Sequence, residues 1–311
     1  MEDKKVLILL ATYNGENYVR QMIDSVLAQD YENIELVLSD DGSKDSTADI
    51  LDSYAESDSR VTHYRSGKRF GCAQNHFMHL LSQFSDAPYI MFCDQDDIWH
   101  SDKVRKTLDK MLNLETDSST PTLVHTDLRV VDGNLCELSP SFCEHSNLDG
   151  TRLSLKDLLL QNVVTGCTVM INNALAKLST ECAVPDTIMM HDWWLALIAS
   201  AFGNVGFLDE ATIDYRQHGN NSVGAKDVRS ISYLLGRLRS KRMRESLFDA
   251  ARQAEAFLSC FEDKLSDEQK EIVAAFASTK DKRLLSRDIT YLKHGLYKYG
   301  FVRVAAQFLG W

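Results

Sequence analysis

The sequence predicts an α/β protein: a mixed, mainly parallel sheet flanked by helices, with a helical extension at its C-terminal end. Two observations carry this. Over the first 100 residues, short continuous apolar runs alternate with segments whose apolar residues recur at helical spacing. From about residue 226 the strand-like runs stop, and apolar residues at helical spacing are interleaved with Arg and Lys.

Each element has its own reason. Val6–Leu10 is an unbroken apolar run, as expected of a strand buried on both faces. Asn14-Gly15 turns the chain, and Tyr18, Val19, Met22, Ile23, Val26 and Leu27 follow at helical spacing. Ile34–Leu38 reads as the second strand. Asp41-Gly42-Ser43 breaks it, and a short helix carrying Ile50, Leu51 and Tyr54 starts after Asp45 or Ser46 as N-cap. Val61–Tyr64 is a third strand, Phe77, Leu80, Leu81 and Phe84 mark a third helix, and Tyr89–Phe92 is a fourth strand. This βαβαβαβ order implies parallel strands joined by right-handed crossovers. Further on, Leu123–His125 and Val163–Ile171 are strand-like, Asp192–Ala201 is helical, and Val205–Leu208 and Thr212–Tyr215 read as two short strands. Tyr233, Leu234, Leu238, Leu247, Ala251, Ala254 and Leu258 then recur at helical spacings, which places a boundary near Gly224, between a body (1–225) and a basic helical region (226–311).

Composition narrows the function. With 311 residues and 44% hydrophobic content the chain can bury a sizeable core. No apolar run reaches membrane-spanning length. The apolar stretch after Met1-Glu2-Asp3-Lys4-Lys5 is too short for a signal peptide, so a cytosolic protein is expected. The seven cysteines are odd in number, lack a CxxC pair and match no zinc spacing, which predicts free thiols. Charge is uneven: residues 1–225 hold 17 basic and 34 acidic side chains, net −17, and residues 226–311 hold 17 and 11, net +6. So acidic a body argues against nucleic acid as a partner. The basic end suits anionic lipid on the cytosolic membrane face. Its aromatic-rich close, Tyr291 to Trp311, can lie on a membrane, pack on the body or form a homodimer contact.

Ligands of open α/β sheets bind beyond the carboxyl ends of the strands. Three polar clusters fall there: Thr12-Tyr13-Asn14, Asp40-Asp41-Gly42-Ser43 and Asp94-Gln95-Asp96-Asp97. Any one of them could be a solvated turn, but two of the three are rich in carboxylates at one rim. An acidic rim accepts a nucleoside diphosphate only through a hard cation, and Mg²⁺ or Mn²⁺ bridges one or two carboxylates to phosphate oxygens. Asp94 and Asp96 at a strand end suit that task, one facing a ribose or metal-bound water and the other the metal. His218 is a candidate extra ligand, although a lone histidine more often has a structural role.

These segments, with His191-Asp192-Trp193 further on, resemble in identity and order those of the family 2 inverting glycosyltransferases of the GT-A fold, over roughly residues 4–225. The resemblance is nearest to bacterial rhamnosyltransferases of cell-wall rhamnan and O-antigen synthesis. It is carried by Phe92-Cys93-Asp94-Gln95-Asp96-Asp97-Ile98-Trp99, His125-Thr126-Asp127, Thr165-Gly166-Cys167, Met190-His191-Asp192-Trp193-Trp194 and Tyr215-Arg216-Gln217-His218-Gly219-Asn220-Asn221. What the resemblance implies is a set of roles. Thr12, Tyr13, Asn14, Asp40, Asp41, Arg69, Asn75, Asp94 and Gln95 would bind the donor nucleotide. Asp96 and His218 would hold a divalent cation, Mn²⁺ or Mg²⁺, and Arg216 and Gln217 would meet the diphosphate. Asp192 would be the catalytic base, preceded here by His191 where the family usually has Glu. Asp127, Thr165, Gly166, His191, Trp193 and Trp194 would line the acceptor or sugar site. For Trp193 and Trp194 a buried helix face is the competing reading.

The expected reaction is transfer of L-rhamnose from dTDP-β-L-rhamnose to a hydroxyl of a polyprenyl-diphosphate-linked glycan by a single displacement, with UDP-hexose or UDP-galactofuranose as alternative donors. A nucleotidyltransferase would carry a Gly-rich basic loop after the first strand, and residues 11–20 hold only Gly15 and Arg20 of those types. Intact Asp94, Asp96 and Asp192 argue against a non-catalytic glycan-binding protein. No GxGxxG follows the first strand, which argues against a dehydrogenase.

Overall fold

A computed structural model of the chain describes residues 4–182, 186–217 and 241–309. The boundary near Gly224, and Tyr233, Leu234 and Leu238, lie outside them. The first half follows the expected alternation: β1 (Val6–Thr12), α1 (Val19–Leu27), β2 (Ile34–Asp40), α2 (Thr47–Ser57), β3 (Val61–His63), α3 (Ala73–Phe84) and β4 (Tyr89–Cys93). Asp45, rather than Ser46, provides the capping oxygen of α2, accepting from Thr47 N at 3.1 Å. The chain continues through β5 (Ile98–Trp99), α4 (Lys103–Leu114), β6 (Thr122–Val131), β7 (Glu137–Ser139), α5 (Phe142–His145), α6 (Leu155–Leu160), β8 (Met170–Asn172), α7 (Asn173–Thr180), α8 (His191–Phe202) and β9 (Asn204–Arg216). Four helices complete the described chain: α9 (Lys241–Phe261), α10 (Asp267–Ala277), α11 (Leu284–His294) and α12 (Phe301–Leu309).

The sheet order is β3-β2-β1-β4-β8-β6-β9-β5, with β7 beside β6. β3, β2, β1 and β4 are parallel, β8 is antiparallel to β4 and β6, and β6 and β9 are parallel. Two expectations change. Val163–Ile171 is a loop and a 3-10 turn (Gly166–Thr168) leading into the short β8. Val205–Leu208 and Thr212–Tyr215 are one strand, β9, whose register against β6 shifts at Asp127 and so absorbs the polar break between them.

β1 shows why its sequence is apolar throughout. Leu7 and Leu9 enter the core on one face of the sheet, and Val6, Ile8 and Leu10 enter the core on the other. The first core also takes in α8 and the C-terminal helices: Trp194 meets Phe257 edge-on at 5.6 Å, and Phe257, Phe276 and Tyr291 are fully enclosed. Residues 291–308 meet the body through Tyr299 N, which donates to Gln161 Oε1, and the Arg303 guanidinium, which donates to the carbonyls of Ser146 and Asn147. Cys182, just after α7, forms a disulfide with Cys260 of α9 across a Cα separation of 5.8 Å. This corrects the expectation of seven free thiols; a pairing 78 residues apart depends on how α9 packs and leaves no trace in cysteine spacing.

The turn from α8 into β9 leaves no room for a side chain at Gly203. A Cβ there would stand 1.9 Å from the carbonyl oxygen of Pro121, a backbone atom that cannot step aside. Gly203→Ala is expected to cost about 3 kcal/mol or more, read from urea unfolding.

Candidate active site at the carboxyl rim of the sheet

Parallel register brings the polar clusters together. Thr12 pairs with Asp40, so β1 and β2 end level, and β4 ends at Cys93 opposite Leu10, which brings the turn after it to the same rim. Thr12 Oγ1 donates to Asp40 Oδ1 at 3.0 Å. Asp40 Oδ2 also accepts from the amides of Gly42 and Ser43, which fixes the turn. The Asp41 carboxylate is buried and accepts from the amides of Phe70 and Gly71, tying the 69–71 loop to the rim. Asn14 has a left-handed backbone (φ 49°), and its side chain accepts from Lys44 N at 2.9 Å. Tyr13 is exposed: its hydroxyl accepts from Arg69 Nη2 at 2.9 Å, and the Arg69 guanidinium lies 5.2 Å from the ring centre. Gln95 clasps the Tyr13 backbone, accepting from its N–H at 2.9 Å and donating to its carbonyl at 3.1 Å. Gly15 makes this clasp possible, since a Cβ there would come within 2.3 Å of Gln95 Oε1. Asn75 is exposed in the first turn of α3.

Behind the rim sits a compact acidic group. One ligand atom from each of Asp94, Asp97 and Cys167 lies within 4.8 Å of the others. Asp97 is fully buried; its Oδ1 accepts from Arg216 N at 3.1 Å, and its Oδ2 has no hydrogen-bond partner. Burial, then the charge of Asp96, then that of Asp192, pushes the Asp94 carboxyl up to about 7. Burial and the charges of Asp96 and Asp94 hold Asp97 well above the usual carboxylate range. Such crowding of carboxylates calls for a positive charge. The two carboxylates fit a hard divalent cation, with Asp96 half-buried on the same turn, whereas the Cys167 thiol is too soft for that role. Part of the positive charge comes from the chain itself. Lys103, fully buried in the first turn of α4, lies 4.7 Å from the Trp99 ring centre and within the field of Asp97. Burial lowers it to about 8. Sequence reading passed over Lys103, because one lysine on an amphipathic helix carries no signal.

Asp192 opens α8, where the helix dipole favours a carboxylate. Its Oδ1 accepts from Asn162 Nδ2 at 3.1 Å and from the Trp193 amide. Burial nevertheless raises it to about 7. The 3-10 turn at Thr165 and Gly166 packs against this helix start: a Cβ on Gly166 would come within 2.8 Å of His191 Nε2. From the far side, Gln253 of α9 accepts from Met189 N at 2.7 Å, two residues before the helix. Asn162 and Gln253 are the supports that spacing did not reveal.

Trp193, Trp194 and His191, expected at the acceptor, are buried. Trp194 is enclosed in the core, and Trp193 is buried with its indole N–H donating to the carbonyl of Leu158, so neither presents a face to a sugar. His191 lies between Phe77 (4.4 Å) and Phe92 (5.0 Å), buried and held neutral, its pKa lowered to about 3 by desolvation. Arg216, expected at the diphosphate, is bound to the scaffold in this structure. Its guanidinium donates to the carbonyls of Asp96 and Gly133 and to Gln21 Oε1, which locks the acidic turn to the end of β9. The backbone N–H of Gln217 donates to the Val131 carbonyl at 2.8 Å, extending the end of β9. Asp127 caps α5, accepting from the amides of Phe142 and Cys143, and also lines a separate cavity of about 590 Å³ with Glu144, Asp149, Asp209 and Tyr299. His218 lies outside the described residues.

An acidic turn after β4 and a buried carboxylate near the start of α8 thus lie at the rim where open α/β sheets bind their ligands. The chain belongs to glycosyl transferase family 2, whose family model matches residues 7–178. It is similar to the dTDP-rhamnosyl transferase RfbG of Shigella flexneri, 28% identical across 76% of this chain and 82% of that one. It is also similar to the putative teichuronic acid biosynthesis glycosyltransferase TuaG of Bacillus subtilis, at 27% across 71% and 81%. Among solved structures it shares its fold with S. aureus TarS in complex with UDP-GlcNAc (TM-score 0.54, 15% identity, 95% of this chain and 93% of that one). A mannosyltransferase from Pyrobaculum calidifontis in complex with GDP-Man and Mn²⁺ aligns equally well (TM-score 0.54, 15% identity, 98% and 84%).

Because the Arg216 guanidinium is spent on the scaffold, Arg216→Ala is expected to lose roughly 3 kcal/mol of stability in urea unfolding. A diphosphate ligand role alone would leave stability unchanged and raise only the donor Kd.

Proposed function

We propose that this enzyme transfers L-rhamnose from dTDP-β-L-rhamnose, with inversion, to a hydroxyl of a polyprenyl-diphosphate-linked glycan in cell-surface polysaccharide synthesis. The observation that carries the reading is the buried Asp192 at the head of α8, its charge felt by Asp94 of the acidic turn. The rhamnosyl donor draws support from the similarity to RfbG across most of both chains. The complexes of TarS with UDP-GlcNAc and of the mannosyltransferase with GDP-Man favour nucleotide-sugar donors in general, and keep a UDP-hexose as the second reading.

In this reading Thr12, Tyr13, Asp40 and Arg69 receive the base, and Asp94 receives the ribose. Asp96, with His218 as a further ligand and the carboxylates of Asp94 and Asp97 nearby, would hold a divalent cation, which would supply positive charge to the departing diphosphate. Asp192 takes the proton of the acceptor hydroxyl as that oxygen bonds to the anomeric carbon and the bond from that carbon to the diphosphate oxygen breaks. A carboxylate poised near 7 is well matched to that transfer. The helical region from about 226 onward serves as a supporting unit, reaching the site through Gln253, and brings the enzyme to the cytosolic membrane face.

Release of nucleoside diphosphate from a panel of nucleotide sugars, with Mn²⁺ or Mg²⁺ and a lipid-linked acceptor, tests the activity. Turnover should be greatest with dTDP-rhamnose; no turnover and no donor binding across the panel would sink the reading. Asp192→Asn should lower kcat about 10²–10⁴-fold with donor Kd nearly unchanged, whereas Asp96→Ala should weaken Mn²⁺-dependent donor binding at least about tenfold by calorimetry. The base must be ionised to act. The kcat profile should therefore fall as pH drops below about 7 and level off above it, and Asp192→Asn should abolish that limb.

A further inference from the structure

α11 is amphipathic the wrong way round for a helix whose only partner is its own core. Its inward face buries Arg287, Thr290 and Tyr291. Its outward face exposes Leu285 (80%), Ile289 (63%) and Leu292 (60%), with Leu284 beside them. Leu285, Ile289 and Leu292 stand at i, i+4 and i+7, so they form one stripe along the helix. Phe301, in the first turn of α12, is more exposed still, at 88%. Five of the nine large apolar side chains exposed among the described residues thus fall within 284–301. Isolated exposed apolar residues need no explanation, but a stripe along one helix does.

The charge around the stripe indicates what covers it. From Lys280 to Arg303 the sequence has seven Lys or Arg and two acidic residues, Asp281 and Asp288, a net of +5 in a chain of net −11. Asp288 is paired with Arg287 at 3.0 Å, and Lys298 and Arg303 are buried. The exposed cations at the two ends of the stripe are Arg283 and Lys293, the latter 3.7 Å from Glu271. An apolar stripe between two exposed cations is the surface that lies in an anionic lipid interface. A two-fold dimer through the same stripe would set these cations against their own copies.

We propose that the outer face of α11, with Leu285, Ile289 and Leu292 as its apolar contact and Arg283 and Lys293 as its cationic rim, docks on an anionic phospholipid surface. This differs from the sequence expectation, which placed the membrane contact at 291–311, where Tyr291, Lys298 and Arg303 are buried. It is compatible with a lipid-linked acceptor but independent of it, since binding is read without any substrate.

The test is cosedimentation of the full-length protein with phosphatidylethanolamine vesicles containing phosphatidylglycerol, and with neutral phosphatidylcholine vesicles. The wild type should bind the anionic vesicles, and added salt should weaken binding. Ile289→Ser with Leu292→Ser should lower the bound fraction about tenfold; Arg283→Glu with Lys293→Glu should do the same, at an unchanged melting temperature. Unchanged binding by the serine variant, or equal binding of the wild type to neutral vesicles, overturns the proposal. So does sedimentation equilibrium showing a wild-type dimer that the serine variant converts to monomer, which would make a second copy the occupant.

Discussion

The parallel register of β1 with β2 and β4 is the constraint on which the site depends. Because Thr12 stands opposite Asp40 and Leu10 opposite Cys93, three loops far apart in sequence leave the same rim of the sheet. A slip of one residue would turn every side chain of β1 to the other face. It would also break the bonds from Thr12 Oγ1 to Asp40 Oδ1 and from Asp41 N to the Thr12 carbonyl, which hold the rim in register.

At the rim, charge is held against its preference. Asp94, Asp97 and Asp192 all sit where burial favours the neutral acid. The fold contains this with the Arg216 guanidinium on the Asp96 carbonyl, Arg216 N on Asp97 and the buried Lys103 nearby. What remains of the imbalance favours a group that brings positive charge to the turn.

The C-terminal helices belong to this economy of support. α9 reaches the approach to α8 through Gln253 at Met189, Lys264 at Glu181 and the disulfide at Cys182. Phe257 and Phe261 close over Trp194 on the same helix as Asp192. A region that reads as an appendage in the sequence therefore shares the core of the body and steadies the start of α8. Its unsatisfied surface is the outer face of α11.

Much was legible in the sequence alone. Strand and helix periodicity in residues 6–93, the order of elements, and the acidic turn after β4 follow from local patterning, because alternation and apolar runs are set by which faces are buried. The resemblance carried by Asp94, Asp96 and Asp192 pointed to the family that the comparisons establish. What only the tertiary structure decided concerns contacts between distant segments. Trp194 and His191 look like site residues in a motif but are core, since their surroundings come from α9 in one case and from α3 and β4 in the other. Arg216 also clamps the acidic turn, through partners Gln21 and Gly133 that lie 195 and 83 residues away. Lys103, Asn162, Gln253 and the Cys182–Cys260 pair carried no signal at all, because a single polar residue acquires meaning only from the neighbours that packing brings to it.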